Sequence, residues 1–391
     1  MKIIKTKKTF KSILTCILFL LIAALPLNAA ETEDGLAKCA QIKNNTERLK
    51  CFDELARRQI PLRESVILKS PEEETQESAA VDKVTTPPPE AEEKFFSVME
   101  KQWDLRSDKP KERNIFVLWP YRPCFFLPLA YNSSPNDSTQ LDVDPKARSL
   151  YNEVKFQLSF KFKIWRDIVR SEEIKRIIEK NTGVRGIDVW IAYTQQSFWQ
   201  LYNSAFSAPF RDTNYEPELL FNFDIQQKIP GLMGTKLQFI NVGFNHQSNG
   251  RAEPLSRSWN RIVANFGFEN TFGAEKNDNF GLLLKTWYRI PEDAVNDDNP
   301  DLNDYVGYGE LWGNLYWKNQ RFALMLRNNL RAENKGAIQL DWSIPLSSFN
   351  ENLAKKISFY MQYFNGYGES LLDYNTSINR ICAGLMLVDW R

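Results

Sequence analysis

Histidine is nearly missing from this chain: His246 is the only one among 391 residues. Any imidazole chemistry the protein performs rests on that position. A charge excess is missing as well. The formal net charge is +1, and setting aside the five lysines of the first thirty residues leaves about −4, so nothing electrostatic points to nucleic acid as a partner. After residue 30 no stretch approaches the roughly 18 consecutive apolar residues of a spanning helix. Aromatic residues, by contrast, are plentiful: 26 Phe, 14 Tyr and 11 Trp make up 13% of the chain. An exported chain of that kind is either a large soluble β protein or an outer-membrane barrel.

Export is expected from the first thirty residues. Lys2, Lys5, Lys7, Lys8 and Lys11 precede the apolar run ILTCILFLLIAAL, and PLNAAE supplies small residues at a cleavage point, so residues 1–30 read as a signal peptide. Cys16 and Cys39 lack the small-residue context of a lipoprotein cleavage site, so no lipid anchor is expected. Residues 31–63 carry Leu36, Cys39, Ile42, Leu49, Phe52 and Leu55 at helix-compatible spacing, which predicts a helical hairpin. Cys39 and Cys51 can close a disulfide there in an oxidising compartment. Residues 64–94 are rich in Glu, Ser, Thr and Pro and hold no aromatic residue, the composition of an acidic, Pro-rich linker that cannot bury a core.

From Phe95 to the end, residues 95–391, the texture changes. Strand-like segments fall near 114–130, 151–165, 186–202, 217–229, 236–247, 257–271, 279–290, 305–318, 320–330, 336–344, 356–366 and 376–390, separated by breaks such as KIPG, AEKNDN and AENKG. This spacing predicts an all-β fold, a twelve-stranded antiparallel transmembrane barrel behind a small N-terminal helical arm. A soluble sandwich is the alternative, and the strand faces separate the two. In LQFINVGFNHQS, Ile240, Val242 and Phe244 alternate with Asn241, Gly243 and Asn245. In SWNRIVANFGFEN, Ile262, Ala264 and Phe266 alternate with Arg261, Asn265 and Glu269. Amides and charges recurring on one face argue for a polar interior and a lipid-contacting exterior.

Pairing these two strands so that apolar residues share a face sets Phe244 against Ile262, Val242 against Ala264 and His246 against Asn260. Opposite side chains lie roughly 4.5–5.5 Å apart at Cβ. Asn260 can then reach one imidazole nitrogen, and Ser248, two residues along the same face, can approach the other. A serine hydroxyl needs a neighbouring base to attack an ester, and the base needs a third group to fix its tautomer. A Ser–His–Asn triad near the membrane interface is one reading; an ordinary polar loop residue beside an SNG turn is the other.

The segment NHQSNGRAEPLSRSWNR resembles the active-site segment of the outer membrane phospholipase A family. The likeness extends to SFWQLYNSAFSAPFRDTNYEPEL, DDNPDLNDYVGYGEL and FNGYGESLLDYN, and so spans roughly residues 95–391. The resemblance implies a calcium-dependent hydrolase of phospholipid acyl esters, of A1, A2 and lysophospholipase type, in the outer membrane of a Gram-negative bacterium. It implies an active homodimer and insertion by the barrel-assembly machinery. Ser248 would be the nucleophile, His246 the base and Asn260 the orienter, with the N–H of Gly250 as an oxyanion donor. Calcium would take the carbonyl of Arg251 and the hydroxyl of Ser256 from one protomer and Ser207 from the other, with a weaker site at Glu253 and Asp298. Gln195 would lie in the dimer surface or, if the likeness fails there, line the channel. The terminus LVDWR departs from the family's aromatic ending, since Trp390 is one place short. A passive pore or adhesive barrel is the competing class, and a soluble periplasmic esterase a third.

Overall fold

The computed structural model describes residues 97–105, 115–145, 147–205, 210–232, 234–272, 278–295, 297–354 and 356–387, together with 44, 47, 48, 50 and 51. The expected signal peptide, the linker, Cys39, Ser207 and Trp390 lie outside these residues. Residues 47, 48, 50 and 51 are helical, and Cys51 is disulfide-bonded. The chain divides after Pro89, and every described strand belongs to the unit from Glu90 to Arg391.

That unit begins with helix α1 (Val98–Trp103), the short strand β1 (Leu118–Pro120), β2 (Phe125–Asn132), the single turn α2 (Ser138–Leu141) and β3 (Asn152–Trp165). Then come α3 (Glu172–Thr182), β4 (Gly186–Trp199), β5 (Asp212–Lys228), β6 (Lys236–Ser248), β7 (Ser258–Phe272) and β8 (Asp278–Arg289). The last elements are α4 (Leu302–Val306), β9 (Gly309–Trp317), β10 (Gln320–Asn328), β11 (Gly336–Pro345), β12 (Ser358–Gly366) and β13 (Ile378–Met386). From β2 onward each strand pairs antiparallel with the next, and β13 returns to β2. The result is a closed twelve-stranded barrel, with β1 as one extra strand along β3. Closure gives each of the twelve barrel strands a partner on both sides.

Three segments differ from the sequence expectation. The stretch near 114–130 is two strands, because Pro120 and Pro123 have no N–H to give the ladder. Both halves still follow one edge of β3, with Leu118 opposite Phe162 and Phe125 opposite Gln157. The stretch near 305–318 opens as helix α4, which ends at Gly307 with φ 65° before β9 begins. Helix α3, not foreseen, is capped by Ser171, whose hydroxyl accepts from the Ile174 amide, and stopped by Gly183 in the left-handed region.

Side-chain alternation decides what faces outward. Along β7 every second residue from Trp259 to Glu269 is buried, while Ile262 is 46% exposed and Phe266 only half-covered. Exposed aromatics gather at both ends of the wall: Tyr131, Tyr151, Tyr215, Tyr288 and Tyr308 at one, Phe116, Trp165, Phe272, Phe280 and Trp317 at the other. An apolar band between two aromatic girdles fits a bilayer. Among the described residues no helix is long and apolar enough to cross a membrane.

The interior is lined with bonded polar and charged groups. Arg380 donates to Glu153 at 2.5 Å and to Glu369 at 2.8 Å, Lys155 donates to Glu369 at 2.9 Å, and Arg211 holds Glu153 at 3.0 Å. All are buried, as only paired charges can be without great cost. At the far end α1 sits against the inner wall. Its Met99 amide donates to Glu269, Gln238 donates to both Ser97 and Glu269, and Trp103 packs on Tyr121, Trp190 and Phe239. Lys161 lies 3.1 Å above the Trp103 ring. The closed strand order and the buried ion pairs answer the sandwich alternative.

Candidate active site

The hairpin of β6 and β7 carries the three triad candidates at the end of the barrel ringed by tyrosines. Alternation fixes the register: Phe244 opposes Ile262, Val242 opposes Ala264, and His246 opposes Asn260. The Nδ1 of His246 and the Oδ1 of Asn260 are 2.9 Å apart. Ser248 closes β6 two residues further on the same side of the strand, opposite Ser258 of β7 and Tyr215 of β5. His246, Ser248 and Asn260 are each partly exposed.

The inward residues of the same strands hold the hairpin rigid. Gln247 accepts from Trp259 Nε1 at 2.8 Å and from Arg261 at 3.2 Å. Arg261 also donates to Asn245 and reaches Glu216 at 2.9 Å, while Asn245 donates to Glu216 at 2.8 Å. With Asn245, Arg261 and Glu216 buried and Gln247 half-buried, this mutually bonded network fixes the strand backbone from behind.

Beyond Ser248 the chain turns through residues 249–257, and buried Asn249 organises that turn. Its amide group donates to the Leu255 carbonyl at 2.7 Å, and its carbonyl accepts from the amides of Arg251 and Arg257 at 3.3 and 3.0 Å. Gly250 follows at φ 62°, where a Cβ would stand 3.1 Å from the Tyr215 ring. Both conditions favour glycine. The Arg251 guanidinium donates to the carbonyls of Phe210 and Arg211, tying the turn to the start of β5.

Ser256 donates to Asp298 Oδ2 at 2.5 Å, so these two expected calcium residues meet, and Arg251 shares their turn. Glu253 stands exposed in that turn. Gln195 lies on the outer side of β4 in line with Ile191 and Tyr193, whose hydroxyl donates to it at 3.1 Å; it does not line the channel. Among the described residues no group of three or more His, Cys, Asp or Glu could hold a metal. The Ser256 hydroxyl and the Asp298 carboxylate bring two oxygens together beside that turn, the donor type that hard cations take.

Sequence reasoning missed two residues. Asn249 sits in a legible SNG turn, where Asn side chains commonly bind backbone two residues on. Glu292, which accepts from Asn260 Nδ2 at 2.8 Å, lies 32 positions away and left no local signal.

Known proteins share this geometry's framework. The family model described as phospholipase A1 matches residues 99–387. A phospholipase A1 of Klebsiella pneumoniae is 35% identical over 276 residues, covering 71% of this chain and 84% of its own. Among solved structures, outer membrane phospholipase A from Escherichia coli superposes with a TM-score of 0.59 at 32% identity, over 75% of this chain and 98% of that one. A Salmonella typhi outer membrane phospholipase, solved as a dimer with bound calcium, gives 0.60 at 31% identity with the same coverage.

Proposed function

This chain belongs to the phospholipase A1 family, and from that premise we propose that it hydrolyses acyl esters of membrane phospholipids with Ser248 as nucleophile. The observation that carries the reading is the 2.9 Å contact between His246 Nδ1 and Asn260 Oδ1 at the rim of the lipid-facing wall. Asn260 Oδ1 accepts a hydrogen bond from Nδ1–H, which leaves the Nε2 lone pair as the base. His246 takes the Ser248 proton as the hydroxyl oxygen attacks the acyl carbon. The same proton then passes to the departing glycerol oxygen, and water repeats the sequence to free the fatty acid. The Gly250 N–H faces the developing oxyanion. The apolar band and the aromatic girdles support an outer-membrane location; export by the signal of residues 1–30 and insertion by the barrel-assembly machinery belong to the same reading.

Arg251, through its carbonyl, and Ser256, through its hydroxyl, would hold calcium, with Ser207 of a second copy completing the set across a homodimer. When bound, calcium polarises the ester carbonyl and offsets oxyanion charge. Asp298 is a further candidate through its contact with Ser256, and Glu253 a weaker one. Ser256 is thereby held in place before any metal arrives.

Release of fatty acid from defined phospholipids by the purified protein in detergent tests this reading, with calcium and with a chelator. The expected result is turnover with calcium, little without it, and none for Ser248→Ala. A shared site adds a sharper expectation: mixing Ser207→Ala with Ser248→Ala regains activity, because one mixed-dimer site keeps both residues. Equal rates with and without calcium would reject the metal role; full activity of Ser248→Ala would reject the nucleophile.

A further inference from the structure

Glu292 takes no part in the proton transfers of the triad, yet it holds the triad's outer end. The ladder of β7 and β8 runs one bond past β8, with the Ile290 amide donating to the Asn260 carbonyl at 2.8 Å. That bond sets residue 292 beside the Asn260 side chain, and the Glu292 carboxylate accepts from Nδ2 at 2.8 Å. The segment behind it is anchored. Arg289 binds Asp297 at 2.6 Å and the Asn299 carbonyl at 2.9 Å, and Asn299 accepts from the Ser258 amide at 2.9 Å.

The geometry points to Glu292 as a positioning residue that selects the orientation of the Asn260 amide and, through it, the tautomer of His246. This inference rests on the reading of Ser248, His246 and Asn260 as a triad. An amide has nearly the same shape when turned by 180°, but its two ends are chemically opposite. Turned the wrong way, Asn260 offers a donor to Nδ1, and the imidazole proton then resides on Nε2, where the base's lone pair is needed. A wrong tautomer costs a serine protease roughly 10⁴ in rate. A carboxylate only accepts, so Glu292 can bind only the NH₂ end and leaves Oδ1 for His246. An aspartate orienter would accept on either oxygen and need no such partner. The neutral amide at the lipid boundary does need one, and Glu292 supplies it from a half-exposed segment where a charge stays solvated.

The test is steady-state kinetics of purified variants on one defined phospholipid at saturating calcium, with folding followed by heat-modifiable migration. Glu292→Gln keeps an acceptor and retains kcat within about fivefold, Glu292→Ala loses about 10- to 100-fold, and Glu292→Lys, which offers only donors, loses more. KM should stay within about twofold, since no substrate contact is removed. Asn260→Ala combined with Glu292→Ala should be no slower than Asn260→Ala alone, because Glu292 acts only through that amide. Glu292→Lys at wild-type kcat, Gln as slow as Lys, or a full Glu292→Ala loss persisting without Asn260 would each overturn the assignment. Retained activity in Ser248→Ala and Asn260→Ala would overturn the triad itself. Loss in those two with normal Glu292 variants would remove only Glu292.

Discussion

The two faces of the β6–β7 hairpin use similar polar residues to opposite ends. Inward, Asn245, Gln247 and Arg261 are tied to one another and to Glu216, so that their polar groups are engaged within the barrel. Outward, His246 and Asn260 are linked in a line that ends on one carboxylate, Glu292, with Ser248 opposite Ser258 on one side of them and the apolar pairs from Phe244 and Ile262 to Ile240 and Phe266 on the other. A satisfied network stabilises and has little left to offer a substrate. A line of groups with an open end, placed where lipid meets water, can exchange a proton. Asparagine illustrates the difference: Asn245 is 1% exposed and bonded on both sides to buried charge, whereas Asn260 bridges a base and a loop.

Substitutions on each face should separate these roles. Ser248→Ala has the largest expected effect, a loss of about 10⁴-fold or more in kcat, or about 5.5 kcal/mol of barrier, with barrel migration unchanged. Activity within tenfold of wild type would dissolve the distinction between the faces. Inward, Arg261→Met removes one of the two arginines paired with Glu216, leaving it Arg122 and the Asn245 amide, and strips donors from Asn245 and Gln247. A denaturant titration should show about 3–5 kcal/mol of lost stability, with kcat of the folded fraction reduced less than tenfold. Should stability hold and turnover vanish, the inner network would belong to the chemistry.

Asn260→Ala keeps the base and relaxes only its orientation, so an intermediate loss of about 10- to 1000-fold in kcat is expected. Asn260→Asp is more telling. Its carboxylate would face both the lipid boundary and Glu292, a desolvation and repulsion cost that the amide avoids, so it should not exceed wild-type turnover at neutral pH. A markedly faster Asp variant would remove this physical reason for an amide. The smallest effect is expected for Phe266→Ala on the apolar wall. Acyl chains refill the vacated volume, so the cost should be about 1 kcal/mol or less, with turnover unchanged.

Sequence alone determined the wall and the hairpin. Strand alternation has a period of two, so one apolar face forces the partner's register, and that register is enough to set His246 against Asn260 and Phe244 against Ile262. The other strand segments were legible for the same reason. The break at Pro120 and Pro123 was legible in principle, since a proline's missing donor is a local property. Helix α1 inside the barrel was not, because its six residues find their partners in Gln238, Phe239 and Glu269, far along the chain.

Only the closed barrel decided the residues that support the site. Glu292 and Asp298 come from the segment after β8 and reach Asn260 and Ser256 because β7 and β8 are neighbours whose ladder carries that segment back over the hairpin. Among the acids of PEDAVNDDNPD the family resemblance singles out Asp298 but not its contact with Ser256, and Glu292 bears no mark in the sequence at all. Which of them meets an amide, which a hydroxyl and which an arginine depends on where the segment lands, and that is a property of strands packed side by side, beyond the reach of any periodicity along one chain.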